Sequence, residues 1–517
     1  MNPVKILWAD DEIELLKPHI LYLEQKGYVL TTVNNGRSAI DWVKKEFFDI
    51  VFLDENMPGL SGLQVLQDMK AIDSSLPIVM ITKSEEEHIM EDAIGNQIAD
   101  YLIKPVNSSQ ILLSLKRILD SKQLVTEKTA QNYQQEFRQI AMELYDVNDY
   151  ESWVNLYKKL VYWELELAKS GDTGMDEILA MQKRDANNDW VKFIEKNFVN
   201  FLKKPDAKTP AMSHTVINKK LMPVIDKDIP TFLILIDNFR YDQWKMVQSQ
   251  LTDYFNIISE DTYLTILPTT THYARNSFFA GMLPSEIERL YPNLWVNEEE
   301  DEGKNIYEEE FINKQMQRLG YKEKITYTKV TNLQAGKNLA DTVSNLMSNK
   351  FNVIVYNFVD MLSHVRTEMN VMKELAEDEA AYRSITASWF EHSPLFEAIK
   401  KIAQKKVRII ITTDHGSIRV KNPVKIIGDK NTSTNLRYKQ GKNLSYNANE
   451  LFGVKNPADV FLPKQNMSTS WVFAKGDDFM VYPNNYNYHV NFYNDSFQHG
   501  GISLEEMIVP FIVLETK

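Results

Sequence analysis

The chain has 517 residues, room for about three domains, and 44% of them are hydrophobic, with 24 Phe, 24 Tyr and 9 Trp to build cores. It has no cysteine, which excludes disulfides, thiolate nucleophiles, iron–sulfur clusters and Cys-based zinc sites; any transition metal must be held by carboxylates and the nine His. A formal net charge of −13 argues against nucleic-acid binding through global basic charge, though it leaves room for a local basic groove.

The first apolar run, from Val4 to Ala9, ends in carboxylates, unlike a signal peptide. No uncharged apolar run approaches the ~20 residues of a membrane helix. A cytoplasmic protein without membrane insertion is expected. Val4–Ala9, Val29–Val33, Ile50–Leu53, Pro77–Ile81 and Tyr101–Ile103 read as strands, with helical stretches such as Glu14–Lys26 between them. Such β/α units predict a parallel sheet covered on both faces, with its ligand at the carboxyl ends of the strands. Asp10 and Asp11, Asp54, Thr82 and Lys104 fall at those ends. Three carboxylates there would repel one another unless a hard cation joined them, and oxygen ligands suit Mg²⁺. A cation beside a carboxylate suits phosphoryl transfer onto it, with Lys104 and Thr82 on the phosphoryl oxygens.

Asp10-Asp11-Glu12, Asp54 followed by Met57-Pro58-Gly59, Thr82 and Lys104-Pro105 resemble the receiver domain of two-component response regulators, a flavodoxin-like fold. The resemblance implies that Asp54 takes phosphate from a sensor histidine kinase. It implies Mg²⁺ ligation by Asp11 and Asp54 with Asp10 in support, and it puts Tyr101 at the position of an aromatic switch residue.

From about residue 121 the strand runs stop. Lys122–Ala141, Trp153–Ala168 and Glu177–Phe201 are predicted helices, interrupted by Gly171, Gly174 and Asn187-Asn188. Trp153, Tyr157, Trp163, Trp190 and Phe198 recur at helical spacing and read as helix–helix core. Lys203–Pro210 reads as a connector.

In the C-terminal half, Thr231–Ile236 is an apolar run ending at Asp237, Phe351–Phe358 ends near Asp360, and Val407–Ile411 leads to Asp414-His415-Gly416. These buried strands again bring acids to one sheet edge. Asp360 and His364 share a face if helical, and His499 precedes two glycines. Imidazole and carboxylate without thiolate suit Zn²⁺, with Mn²⁺ as the alternative. Pro268-Thr269-Thr270-Thr271 offers hydroxyls that a divalent metal can activate as nucleophiles. Arg275, Arg419 and Lys421 are candidate substrate-binding cations, the last two in a basic stretch that continues through Lys425, Lys430, Arg437, Lys439 and Lys442. Tyr241, Trp244, Tyr273 and Phe278 are either base-stacking faces or core.

Asp237, Pro268-Thr269-Thr270-Thr271, Asp360 with His364, Asp414-His415-Gly416, and His499-Gly500-Gly501 with Ser503 and Glu506 resemble the PglZ branch of the alkaline phosphatase superfamily, in chain order. The resemblance implies one metal on Asp237, Thr271, Asp414 and His415, a second on Asp360, His364 and His499, and Thr271 as nucleophile.

The expected organisation is a flavodoxin-like receiver (1–120), a helical middle domain (121–208) and an alkaline-phosphatase-like α/β domain (209–517). The combination resembles response regulators that accompany type IX secretion. It implies a two-zinc phosphodiesterase acting on nucleotides or oligonucleotides, activated by Asp54 phosphorylation and homodimerisation. The alternatives are a phosphomonoesterase or mutase, or a regulatory module that binds a sigma factor or a secretion-system component.

Overall fold

The structure, a computed structural model, describes residues 3–83, 98–170, 173–226, 228–297, 303–368, 370–376, 378–429, 432–464 and 466–517. It does not describe the side chains of 120–127, 170, 173, 364–366, 368 and 370–372. Gly171 and Lys430, and the side chain of His364, therefore lie outside the description. The chain forms two compact units. One comprises residues 1–134 with 170–172, the other 135–169 with 173–517.

In the first unit, β1 (Lys5–Ala9), β2 (Val29–Val33), β3 (Ile50–Asp54), β4 (Ile78–Thr82) and β5 (Asp100–Ile103) form a parallel sheet in the order β2-β1-β3-β4-β5. Alternate residues feed two cores. Leu7, Ala9, Val51, Leu53 and Met80 pack on one face, and Ile6, Trp8, Ile50, Phe52, Val79 and Ile81 on the other. That division is why these strands read as continuous apolar runs. Helices α1 (Lys17–Gln25), α2 (Gly36–Lys45) and α3 (Gly62–Ile72) lie between strands; Asn35 caps α2, and Ser61 and Gln64 form a capping box on α3.

The middle region differs from the sequence reading in two ways. A single helix, α4 (Ser108–Asp146), runs through the start expected near Lys122. The segment contains no Gly or Pro to stop it. After α5 (Tyr150–Ser170), α6 (Thr173–Lys203) includes Gly174 in its first turn and continues unbroken through Asn187-Asn188. Asn187 is 5% exposed and its amide is used in tertiary hydrogen bonds, so packing overrides its low helix propensity. The five aromatics are buried as a core, with Trp153 and Trp190 edge-to-face at 5.4 Å.

The C-terminal region is built on a six-stranded sheet. Its strands are β6 (Thr231–Ile236), β7 (Phe255–Leu264), β8 (Ile325–Val330), β9 (Phe351–Tyr356), β10 (Arg408–Thr412) and β11 (Ile508–Thr516), in the order β7-β11-β10-β6-β9-β8. Strands β10, β6, β9 and β8 are parallel, while β11 runs antiparallel to β10 and to β7. The three apolar runs predicted to carry acids are therefore adjacent. Their registers, Thr412 beside Leu235 and Ile236 beside Tyr356, level their carboxyl ends. No described helix is long and apolar enough to cross a membrane.

Candidate active site

Two clusters form at strand ends. In the first unit, Asp10 and Asp54 are buried, Asp11 is exposed, and one carboxylate oxygen from each lies within 4.8 Å of the others. Lys104 reaches from the end of β5, with Nζ 2.8 Å from Asp10 Oδ2 and 2.9 Å from Asp54 Oδ1. Burial, opposed by Lys104, raises the Asp54 carboxyl above its usual range. Thr82 ends β4 and is buried; the Tyr101 hydroxyl bonds it, and burial pushes that phenol up. This oxygen-only donor set fits a hard cation such as Mg²⁺.

In the second unit, Asp237 follows β6, Asp414 and His415 follow β10, and Asp360 lies in the first turn of α7 (Phe358–Glu368), which follows β9. Asp237, Asp414 and His415 each offer a donor atom within 4.8 Å of the other two. Thr271 Oγ1 is 3.4 Å from Asp237 Oδ1 and 3.2 Å from His415 Nε2. His499 Nε2 is 3.4 Å from Asp360 Oδ1, and the His415 and His499 rings stack at 4.3 Å. Two groups of potential donors therefore adjoin, one around Thr271 and one around Asp360 and His499. His364 lies one helical turn beyond Asp360 on α7.

The histidines meet a test of metal fit. His415 Nδ1 is 3.0 Å from Gly416 O, and His499 Nδ1 is 3.2 Å from Thr269 O. Each ring can donate Nδ1–H to a backbone carbonyl and keep an Nε2 lone pair facing carboxylates, the arrangement a ligating imidazole needs. Burial, and then His499, holds His415 down to about 4, in its neutral ligating form. Burial, together with Asp414 and Asp360, raises the Asp237 carboxyl against the pull of Arg275 and His415. A divalent cation would relieve that crowding.

Several expected substrate contacts take other places. Arg275 is fully buried. It donates from Nε to Asp414 Oδ2 at 3.0 Å, pairs with Asp237, and approaches Glu308 at 3.5 Å and Asn357 at 3.3 Å. Its guanidinium is thus taken up by the buried carboxylates at the strand ends. Arg437 is fully buried against Glu506, and Lys439 is 1% exposed, with burial pushing its ammonium down to about 7. The basic stretch is thus not one face: short strands turn part of it inward. Arg419 is half-buried and pairs with Asp495 at 3.2 Å, while Lys421 is exposed; both line a cavity of about 320 Å³ with α5 and α6 residues. Tyr241, Trp244, Tyr273 and Phe278 are all buried core.

Sequence reading missed Asn238, which is fully buried at φ 59° and donates to Asp360 Oδ1 at 3.3 Å. An Asn directly after a strand-end Asp was its only signal, because Asn tolerates the left-handed region. It also missed Glu308, which no local pattern connects to Arg275.

Comparison with known proteins matches residues 216–514 to the BREX system PglZ alkaline phosphatase-like domain, 123–202 to the PorX response regulator linker domain, and 6–116 to the response regulator receiver domain. Curated relatives match over about a quarter of the chain. The alginate biosynthesis transcriptional regulatory protein AlgB of Pseudomonas syringae pv. tomato is 32% identical over 123 residues, 24% of this chain and 28% of its own length. The probable transcriptional regulatory protein TcrX of Mycobacterium tuberculosis is 32% identical over 121 residues, 23% of this chain and 50% of its own. The chain thus spans half or less of these relatives. A CheY-like receiver domain structure from Methanospirillum hungatei is 22% identical, covering 23% of this chain and 96% of that one, at a TM-score of 0.23.

Proposed function

The chain belongs to the PglZ alkaline phosphatase-like family, as a two-component response regulator of PorX-like architecture, and from that premise we propose that its effector is a zinc-dependent phosphodiesterase with Thr271 as nucleophile. The observation that carries this reading is the placement of Thr271 Oγ1 between Asp237 and His415, beside the Asp360–His499 pair. Asp237, Thr271, Asp414 and His415 would hold one Zn²⁺, and Asp360, His364 and His499 the other, with Mn²⁺ as the alternative. Bound divalent ions would lower the hydroxyl pKa of Thr271 and offset phosphate charge.

The rest is done by the chain. Thr271 Oγ1 forms a bond to phosphorus as the leaving alkoxide departs, giving a threonyl phosphodiester that keeps the second ester group. Water then attacks that phosphorus and Thr271 leaves with its oxygen restored. Arg275 and Asn238 keep the carboxylates oriented through both steps. The substrates are nucleotides or oligonucleotides. A sensor kinase phosphorylates Asp54 in the Mg²⁺ site of Asp11 and Asp54, and the phosphorylated protein dimerises and acts in the control of type IX secretion.

The test is hydrolysis of bis-p-nitrophenyl phosphate and p-nitrophenyl phosphate in parallel, by wild type and Asp54→Asn, with and without beryllofluoride as phosphate mimic. The expected result is faster turnover of the diester than of the monoester, lost to a zinc chelator and stimulated by beryllofluoride only when Asp54 is present. Preference for the monoester would contradict the phosphodiesterase reading. Equal stimulation of Asp54→Asn would contradict the switch.

A further inference from the structure

The turn that follows His499 links the loops that carry Thr269, His415 and His499. Helix α8 (Leu504–Met507) is capped by Ser503, whose Oγ accepts from Glu506 N at 3.1 Å. Glu506 is fully buried. Its Oε1 accepts from Gly501 N at 2.9 Å and lies 3.3 Å from Thr269 Oγ1. Thr269 Oγ1 in turn accepts from Gly500 N at 2.8 Å, and Thr269 O faces His499 Nδ1. On its other side the turn touches the His415 loop. Gly416 N donates to Glu506 O at 3.1 Å, and a Cβ on Gly416 would stand 2.0 Å from Glu505 O. Thr269, His415 and His499 therefore share one support.

That support is gripped from the helical middle region. Asn187 on α6 accepts from Leu504 N through Oδ1 at 2.8 Å and donates from Nδ2 to Glu505 Oε2 at 3.0 Å; both bonds are buried. Lys183, one helical turn earlier, lies 3.4 Å from Glu505 Oε1. An asparagine is a poor helix-interior residue, and at this position both ends of its amide bond the turn. We propose that Asn187 is a positioning residue for the C-terminal site, fixing through Leu504 and Glu505 the loop that presents His499. The proposal rests on the reading of that site as a metal-dependent phosphodiesterase. It makes the helical middle region part of the active-site scaffold.

The test exchanges donor and acceptor across the 3.0 Å contact. Asn187→Asp keeps an acceptor for Leu504 N but sets a carboxylate against Glu505. Adding Glu505→Gln restores a donor–acceptor pair of the same shape. Zinc affinity is read by competition with a chromogenic chelator, kcat and KM on bis-p-nitrophenyl phosphate, and melting temperature without metal. Groups that hydrogen-bond a metal ligand directly are worth about 10–100-fold in affinity or activity, and for a residue acting through the loop behind them the lower end is the upper limit. For Asn187→Asp the expected result is roughly 10-fold weaker zinc binding and a similar fall in kcat with KM little changed. The double variant is expected to return within about twofold of wild type. Wild-type zinc affinity and kcat in Asn187→Asp would overturn the proposal. So would a double variant with wild-type melting temperature but unrestored affinity. Wild-type protein that takes up no zinc would overturn the underlying reading, and the proposal with it.

Discussion

On the proposed mechanism, Thr271→Val should lower kcat on a phosphodiester by roughly 10³-fold or more, while the protein keeps its fold and the carboxylate and imidazole groups proposed to hold zinc. Loss of a covalent nucleophile removes an interaction made only along the reaction path, so the loss falls on kcat and not on KM. Valine matches threonine in volume and branching, and Thr271 is only half-buried, so packing changes little. The hydroxyl faces Asp237 and His415 at 3.4 and 3.2 Å, which leaves the carboxylate and imidazole ligands intact when it is deleted. Steady-state kinetics and zinc content measured together check this. Near wild-type kcat would assign the nucleophile elsewhere. Thr269 is an unsuitable substitute because its hydroxyl is tied to Gly500 N.

Arg275→Leu destabilises the metal-free protein by about 3–5 kcal/mol, the cost of leaving buried charges without their partner. Arg275 is fully buried among Asp237, Asp414 and Glu308, and its guanidinium fork meets more than one carboxylate at once. Leucine fills part of the volume but neutralises nothing. Zinc should narrow the deficit, because a divalent ion on Asp237 and Asp414 takes over part of the neutralisation. Arg275→Lys should fall between the two, keeping one charge without the fork. Thermal unfolding in chelator and in zinc checks the series. A leucine variant that melts like wild type in chelator would contradict the bracing role, and a deficit unchanged by zinc would contradict the shared neutralisation.

Much of this was legible in the sequence because strand-end chemistry is local. Continuous apolar runs ending in Asp237 or Asp414, or leading to Asp360, announce buried parallel strands, and the sheet order then makes the acids neighbours. The receiver cluster was legible for the same reason. What was not legible depends on distant partners. Arg275 reads as a candidate substrate-binding cation and Arg437 as part of a basic stretch until Asp237, Asp414 and Glu506 are seen to hold them inside. Asn187 read as a helix breaker because its hydrogen-bond partners lie more than 300 residues away in the chain. Composition marks a charge or an amide, but only the fold says what answers it.

On the proposed mechanism, hydrolysis proceeds through Thr271 and not by direct attack of water. The most direct measurement is the stereochemical course at phosphorus, using a phosphorothioate diester of known configuration turned over in ¹⁸O water. Each in-line displacement inverts phosphorus. Attack by Thr271 followed by water is two displacements, so the expected product shows net retention. Net inversion would mean a single displacement by water and would contradict the threonine mechanism.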